Sequence, residues 1–175
     1  MPIGGAIACR NTIGPAGVRY DIGCGNKAVR VDMNGADLLL NIGRFMDEIS
    51  DTISFGVGCR NPEGVDRAVL DEAQDGWKLE ATRSPHRKAG AQLGTVGSDN
   101  HYVDIFTNED DRVWTGVHFG SGGFGHGVAS RFFKTAGAGD GMDVEPCVLV
   151  VNSDLGSQYL LAAQLAGAYA YAGRD

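Results

Sequence analysis

Glycine sets the limits on what this chain can fold into: 27 of its 175 residues are glycine, far above average usage, and they follow no collagen period. They sit beside short apolar segments, which predicts many tight turns, close backbone approaches and a functional site built from loops. One such loop lies in "VRYDIGCGNKAV" at 18–29, where Cys24 stands between two glycines and three residues after Asp21. A cysteine so placed could pack, pair, attack or hold a metal.

The chain is 43% hydrophobic and 21% charged, and its length suits one domain, 1–175, with a real core. Its net charge of −7, from 22 acidic against 15 basic residues, argues against a broad nucleic-acid-binding face built by this chain alone. No N-terminal segment has the pattern of a secretion signal and no apolar run approaches the ~20 residues that span a bilayer, so the expected location is cytoplasmic. Cys9, Cys24, Cys59 and Cys147 are scattered without a Cys-x-x-Cys pair. That spacing speaks against a disulfide framework or a structural zinc knuckle, so each cysteine is weighed singly.

Hydrophobic periodicity predicts short strands at 2–9 and 28–32, separated by a loop of Gly14, Pro15 and Gly17. Leu38, Leu39, Ile42, Phe45, Met46 and Ile49 recur at helical spacing, so Ala36 to Ile49 reads as an amphipathic helix. A second helix is expected from 64, ended by Gly76, and the basic stretch "SPHRKAG" is expected as a surface loop. Strands follow at His101 to Phe106 and at Val113 to His118, the latter running into a glycine-rich turn that opens a helix. "VEPCVLVVN" reads as a buried strand, and the nearly uncharged run after Ser153 as a buried helix capped by Ser153 or Asp154. Strands and helices do not alternate cleanly, which predicts an α+β fold with mostly antiparallel sheets and flanking helices.

Three glycine-bounded turns each carry side chains that bind divalent transition ions: Asp21 and Cys24 in "DIGCG", His101 in "SDNHYVD" and His118 in "VHFGSGG". Each has an ordinary reading as well. A lone cysteine is often a small buried hydrophobe, an aspartate often a turn residue, and a lone histidine often a half-buried core group. His86, beside Arg87 and Lys88, reads as solvated, and His126 stands between the two readings.

The segments "PIGGAIA", "DIGCG", "QLGTVGSDNHYVDI", "HFGSGGFGH" and "DLGSQYLLAAQLAGAYAYAGR" come in the order and approximate spacing of the RtcB family of RNA-splicing ligases, which the chain closely resembles over nearly its whole length. The resemblance implies an enzyme that joins an RNA 3′-phosphate or 2′,3′-cyclic phosphate to a 5′-hydroxyl with GTP and manganese, in tRNA splicing or RNA repair. Its partners would be broken RNA ends and GTP, with no membrane. It also implies roles by position: Cys24 bridges two ions, Asp21 binds one of them, and His101 and His118 complete the other ion's site. Asn100 matches a residue at the guanylate pocket, with His101 beside it, and Asp104 falls where the family usually has glutamate near the same nucleotide. Sulfur and nitrogen ligands alone would favour zinc over manganese, so manganese rests on the resemblance.

Four positions depart from the family's pattern. Gly122 replaces an arginine whose fork would suit phosphate, Asp104 replaces glutamate, Asn26 a common methionine and Gly173 a common asparagine. Full-length members continue past the alanine-rich helix into a part that carries a further metal-binding histidine and the histidine that takes up guanylate. The expectation is therefore an N-terminal metal-binding portion with the guanylylation part absent and no nucleophile of its own. The alternatives are a non-catalytic metal-binding or interaction protein derived from the ligase, or a metal-dependent phosphoesterase.

Overall fold

The computed structural model describes residues 5–98, 100–139 and 146–175. A two-residue strand β1 (Thr12–Ile13) and a short helix α1 (Pro15–Val18) precede the cysteine loop. Strand β2 (Gly25–Asn34) follows, then helix α2 (Gly35–Thr52), whose start is capped by the Asn34 side chain accepting from the Asp37 N–H. A 3-10 turn (Ala68–Leu70) leads to α3 (Asp75–Lys78) and α4 (Glu80–Gln92). Then come β3 (Tyr102–Thr107), β4 (Arg112–Phe119), α5 (Gly122–Thr135), β5 (Leu149–Val150) and α6 (Asp154–Arg174).

Strand β4 is the centre of a three-stranded antiparallel sheet in the order β2-β4-β3, and β1 pairs antiparallel with β5. The fold is thus α+β, as the mixed order of elements suggested. The sheet register sets Asn26, His118 and Tyr102 side by side in one cross-strand row. Because side chains alternate faces along a strand, Asp104 and Phe106 share that row's face.

The core lies among the helices. Trp77, Ala89, Leu93, Phe124, Val128, Phe132, Tyr159, Leu165 and Tyr169 are all buried in one cluster. Phe124 meets both Trp77 and Tyr169, with ring centroids 4.8 and 5.0 Å apart. Two buried polar tips find backbone partners, Trp77 Nε1 donating to the Val69 carbonyl and Tyr169 Oη to that of Ala89, each at 2.8 Å, while the buried Tyr159 hydroxyl has none among the described residues. Helix α6 supplies one wall of this core, buries its Tyr159–Ala170 face, and begins where Ser153 Oγ accepts from the Gly156 N–H, as its capping sequence predicts.

Several elements differ from the sequence reading. The segment at 5–9 is irregular, and residues 2–4 of the first expected strand lie outside the described residues. The stretch from 64 is broken into the 3-10 turn and α3: Asp71 Oδ1 takes up the Ala73 N–H, and backbone at Gln74 is extended. Gly76 does not end that helix but lies within α3, where an added Cβ would come within 2.9 Å of Leu165. The "SPHRKAG" stretch is helix α4 rather than a loop, because buried Thr82 and Ala89 pin it to the core while its charges point outward. His86 packs on Trp77 at 4.4 Å instead of standing in solvent. Of the run at 144–152, residues 144 and 145 lie outside the described residues, and of the rest only Leu149 and Val150 form a strand, with only Leu149 of the two buried. Helix α2 forms as expected but buries just Gly35 and Leu38, leaving Leu39, Leu40, Ile42 and Met46 exposed.

Candidate metal centre

The chain reverses at 21–24 so that the Cys24 N–H donates to the Asp21 carbonyl, with Gly23 in left-handed backbone at φ 75°. A side chain at Gly23 would meet both that strain and helix α6, since a Cβ would lie 3.1 Å from the Ala170 Cβ and 3.2 Å from the Gly167 Cα. Across from this turn, β4 ends at Phe119 and the chain enters α5 through Gly120 and Ser121. The Asp21 carboxylate occupies the space that a side chain at Gly120 would fill, a Cβ there falling 2.4 Å from Oδ1. Sequence places these glycines; the fold shows that they make room for a carboxylate.

Asp21, Cys24 and His101 come together so that one ligand atom from each lies within 4.8 Å of the others. His101 Nε2 sits 2.9 Å from Asp21 Oδ2, while the N–H of Gly122 donates to Asp21 Oδ1 at 3.3 Å. The buried Nδ1 of His101 has no hydrogen-bond partner among the described residues. His118 joins from the neighbouring sheet row, its Nε2 3.2 Å from Cys24 Sγ. The four expected metal-ligating side chains therefore lie in one cluster, and Cys24 is the member that touches both halves.

The hydrogen-bond pattern around His118 suits the tautomer with its N–H at Nδ1. Asn26 Oδ1 lies 2.5 Å from Nδ1 and can only accept, so Nδ1 carries the proton. Nε2 is then left with a free lone pair facing Cys24 and the amide of Asn100, which lies 3.4 Å away. A neutral imidazole with an anchored N–H and a free second nitrogen is the form a metal requires. The Cys24 thiol is pushed up to about 12, first by partial burial of its sulfur and then by the hydrogen bond and negative charge of Asp21, with Arg174 and the Gly25 N–H opposing. Without a cation it stays protonated at neutral pH; a bound cation would take the proton's place.

A cavity of about 240 Å³ opens beside Asp21 and His101, walled by Gln92, Gly122, Gly123 and His126 among others. His126 stacks on Tyr20 with centroids 4.6 Å apart and lies outside the ligand cluster. Asn100 reaches the cluster through His118, whereas Asp104 does not: it lies exposed on the sheet face, lining a separate cleft with Tyr102, Phe106 and Asn26.

The family model described as tRNA-splicing ligase RtcB matches residues 1–82 and 71–175. The chain belongs to the RtcB family. The RNA-splicing ligase RtcB of Escherichia coli K12 is 31% identical over 148 residues, 77% of this chain and 36% of the relative. The tRNA-splicing ligase RtcB of Thermococcus kodakarensis is 28% identical over 226 positions that take in all of this chain and 47% of the relative. The RNA-splicing ligase RtcB homolog 1 of Entamoeba dispar is 26% identical across 98% of this chain and 42% of the relative. The chain thus spans between a third and a half of the length of these RtcB relatives, and none of its helices among the described residues is long and apolar enough to cross a membrane.

Two residues of this RtcB chain matter to the site more than the sequence reading allowed. Asn26, read as a mild departure, is the anchor of His118. Arg174, unremarked at the end of α6, is only 9% exposed and sends its guanidinium to the carbonyls of Gly23 and Phe119. It thereby ties the cysteine loop to the end of β4. A signal was available: apart from Asp154 at its start, Arg174 is the one charged residue of a 21-residue helix.

Proposed function

We propose that this chain forms the metal-binding portion of a GTP- and manganese-dependent ligase that joins RNA 3′-phosphate or 2′,3′-cyclic phosphate ends to 5′-hydroxyl ends. The observation that carries this reading is the convergence of Asp21, Cys24, His101 and His118, from three distant segments of an RtcB-family chain, on one cluster. The residues fit a cation. They offer oxygen, sulfur and nitrogen donors, His118 holds its free nitrogen toward Cys24, and His101 Nε2 lies against the Asp21 carboxylate.

Asp21, Cys24, His101 and His118 would hold the metal, with Cys24 placed to serve two ions. Bound there, manganese would neutralise phosphate charge and stabilise the attacking and leaving oxygens. The chain's own residues do the positioning. Gly122 orients the Asp21 carboxylate with its N–H, Asn26 fixes the His118 ring, and Arg174 holds the two backbone segments at their spacing. Asn100 and Asp104, on the sheet side, are offered to the guanylate. Titration of the chain with manganese is expected to give saturable binding that is lost in Cys24→Ala, and no metal binding at micromolar concentration would overturn the assignment.

A further inference from the structure

Helices α4 and α5 carry Arg83, Arg87, Lys88, Arg131 and Lys134, five of the fifteen Lys and Arg residues, against one acid, Glu80, of twenty-two. A chain of net charge −7 has therefore gathered a third of its cations on two neighbouring helices. The helices run antiparallel. Along α5 the positions facing α4 are Gly123 against Gln92, Gly127 against Pro85 and Arg131 against Glu80, whose carbonyl accepts from the Arg131 guanidinium at 2.7 Å.

At the far end of this pair, Arg83 and Arg87 on α4 and Arg131 on α5 line an open groove with Ser84 and Glu80. Arg83 and Arg87 are exposed, one turn apart on the same face, and neither has an acidic partner among the described residues. Like charges at that spacing repel, and a polyanion relieves them. Glu80 is no strong competitor: it is solvated, and its carboxylate stays 3.8 Å from Arg131. Guanidinium forks set in a row match phosphate oxygens.

The groove and the metal centre lie at opposite ends of α5. The other end of α5 gives its Gly122 N–H to Asp21, and Arg131 is nine residues further on, about 14 Å along the helix axis. That is about four nucleotides of a stacked strand at ~3.4 Å each. We infer that the α4–α5 groove, through Arg83, Arg87 and Arg131, holds the phosphate backbone of a single RNA strand whose terminal phosphate lies at the Asp21–Cys24–His101 cluster. The inference rests on the ligase reading and adds to it the path of the strand.

The test is fluorescence anisotropy on the full chain with 5′-labelled RNA ending in 3′-phosphate, three or ten nucleotides long, across a series of salt concentrations. The double variant Arg83→Ala/Arg87→Ala is expected to bind the ten-nucleotide RNA about tenfold more weakly and the short one within twofold of the parent. Two lost phosphate contacts should lower the slope of log affinity on log salt by about 1.4. Arg83→Lys/Arg87→Lys should recover most of the binding, which separates lost charge from lost fold, and Arg44→Ala on α2 should change nothing. Equal losses on both lengths, or none, would overturn the groove, as would displacement of RNA by poly-glutamate as readily as by RNA itself. If the double variant behaves as the parent while 3′-phosphate ends are still preferred over 3′-hydroxyl ends, the groove falls and the ligase reading stands. Should the double variant lose long-strand binding with no preference for 3′-phosphate, the groove stands and the terminal assignment falls; a parent chain that binds neither RNA sinks both.

Discussion

On the Asp21 side of Cys24 the ligands are held by backbone and helix ends, whereas on the His118 side they are held by other side chains. Asp21 sits in a pocket that Gly120 leaves open, receives the Gly122 N–H, and belongs to a turn pinned by α6 at Gly23. His118 stands on an open sheet face, oriented by Asn26 and bordered by the exposed Tyr102, whose ring stacks on it at 5.4 Å. Backbone anchors cannot be removed by a single side-chain change, so the first half should resist substitution except at Arg174, which ties its two backbone segments together, and the second should be tunable.

The sharpest way to break that contrast is to remove the residue common to both halves. Cys24→Ala should abolish binding at either position, a loss of more than about a hundredfold that titration calorimetry with manganese or zinc would register. His118→Ala should remove only the second binding event. Retention of full stoichiometry in Cys24→Ala would show that the halves are separate sites. The same residue sets the pH dependence. The Cys24 thiol is raised from 9.0 to about 12, so its neutral form favours the metal-free fold below pH 9, and that contribution is lost as pH rises through about 12. Metal must displace this proton, so affinity should rise with pH, up to tenfold per unit through the neutral range, and Cys24→Ala should flatten the rise.

Arg174 tests the backbone-held half. Its guanidinium satisfies two carbonyls that flank the site, and it has no acidic partner within salt-bridge distance among the described residues. Arg174→Met removes the guanidinium donor from one buried and one part-buried carbonyl, a loss of about 1–3 kcal/mol in urea unfolding. It should also weaken metal binding roughly tenfold, since the Asp21 turn and the end of β4 are no longer tied. Arg174→Lys keeps the charge but not the fork and should recover only part of either. Metal affinity unchanged at full occupancy of the fold would confine Arg174 to stability.

These contrasts also mark what the sequence could reveal. The capped helix α6, the paired strands β3 and β4, and the clustering of the four candidate ligands each rest on a local pattern: a cap, an alternation, a glycine-bounded donor. Helix α4 was hidden because its polarity and Pro85 mimic a loop, and only the burial of Thr82 and Ala89 shows what holds it. The two-residue β5 was overread because a continuous apolar run records hydrophobicity without saying whether a partner strand covers it. Arg174 and Asn26 act across 151 and 92 residues of sequence respectively, and no local spacing records a contact of that range.

The narrowest expected effect, confined to one ion, comes from the side-chain-held half and is the most informative about it. Asn26 is the acceptor that places the proton on His118 Nδ1; without it the ring can rotate and either nitrogen can carry the proton. Asn26→Ala should therefore cost about tenfold in affinity for the ion that His118 helps to hold and nothing for the one held by Asp21, because Asp21 has its own backbone donor. The family's usual methionine at this position offers no such acceptor, so Asn26→Met should resemble Asn26→Ala rather than the parent. Were Asn26→Met to bind both ions as well as the parent does, the stacked ring of Tyr102 would have to orient His118, and the two halves of the site would be equally independent of their neighbours' hydrogen bonds.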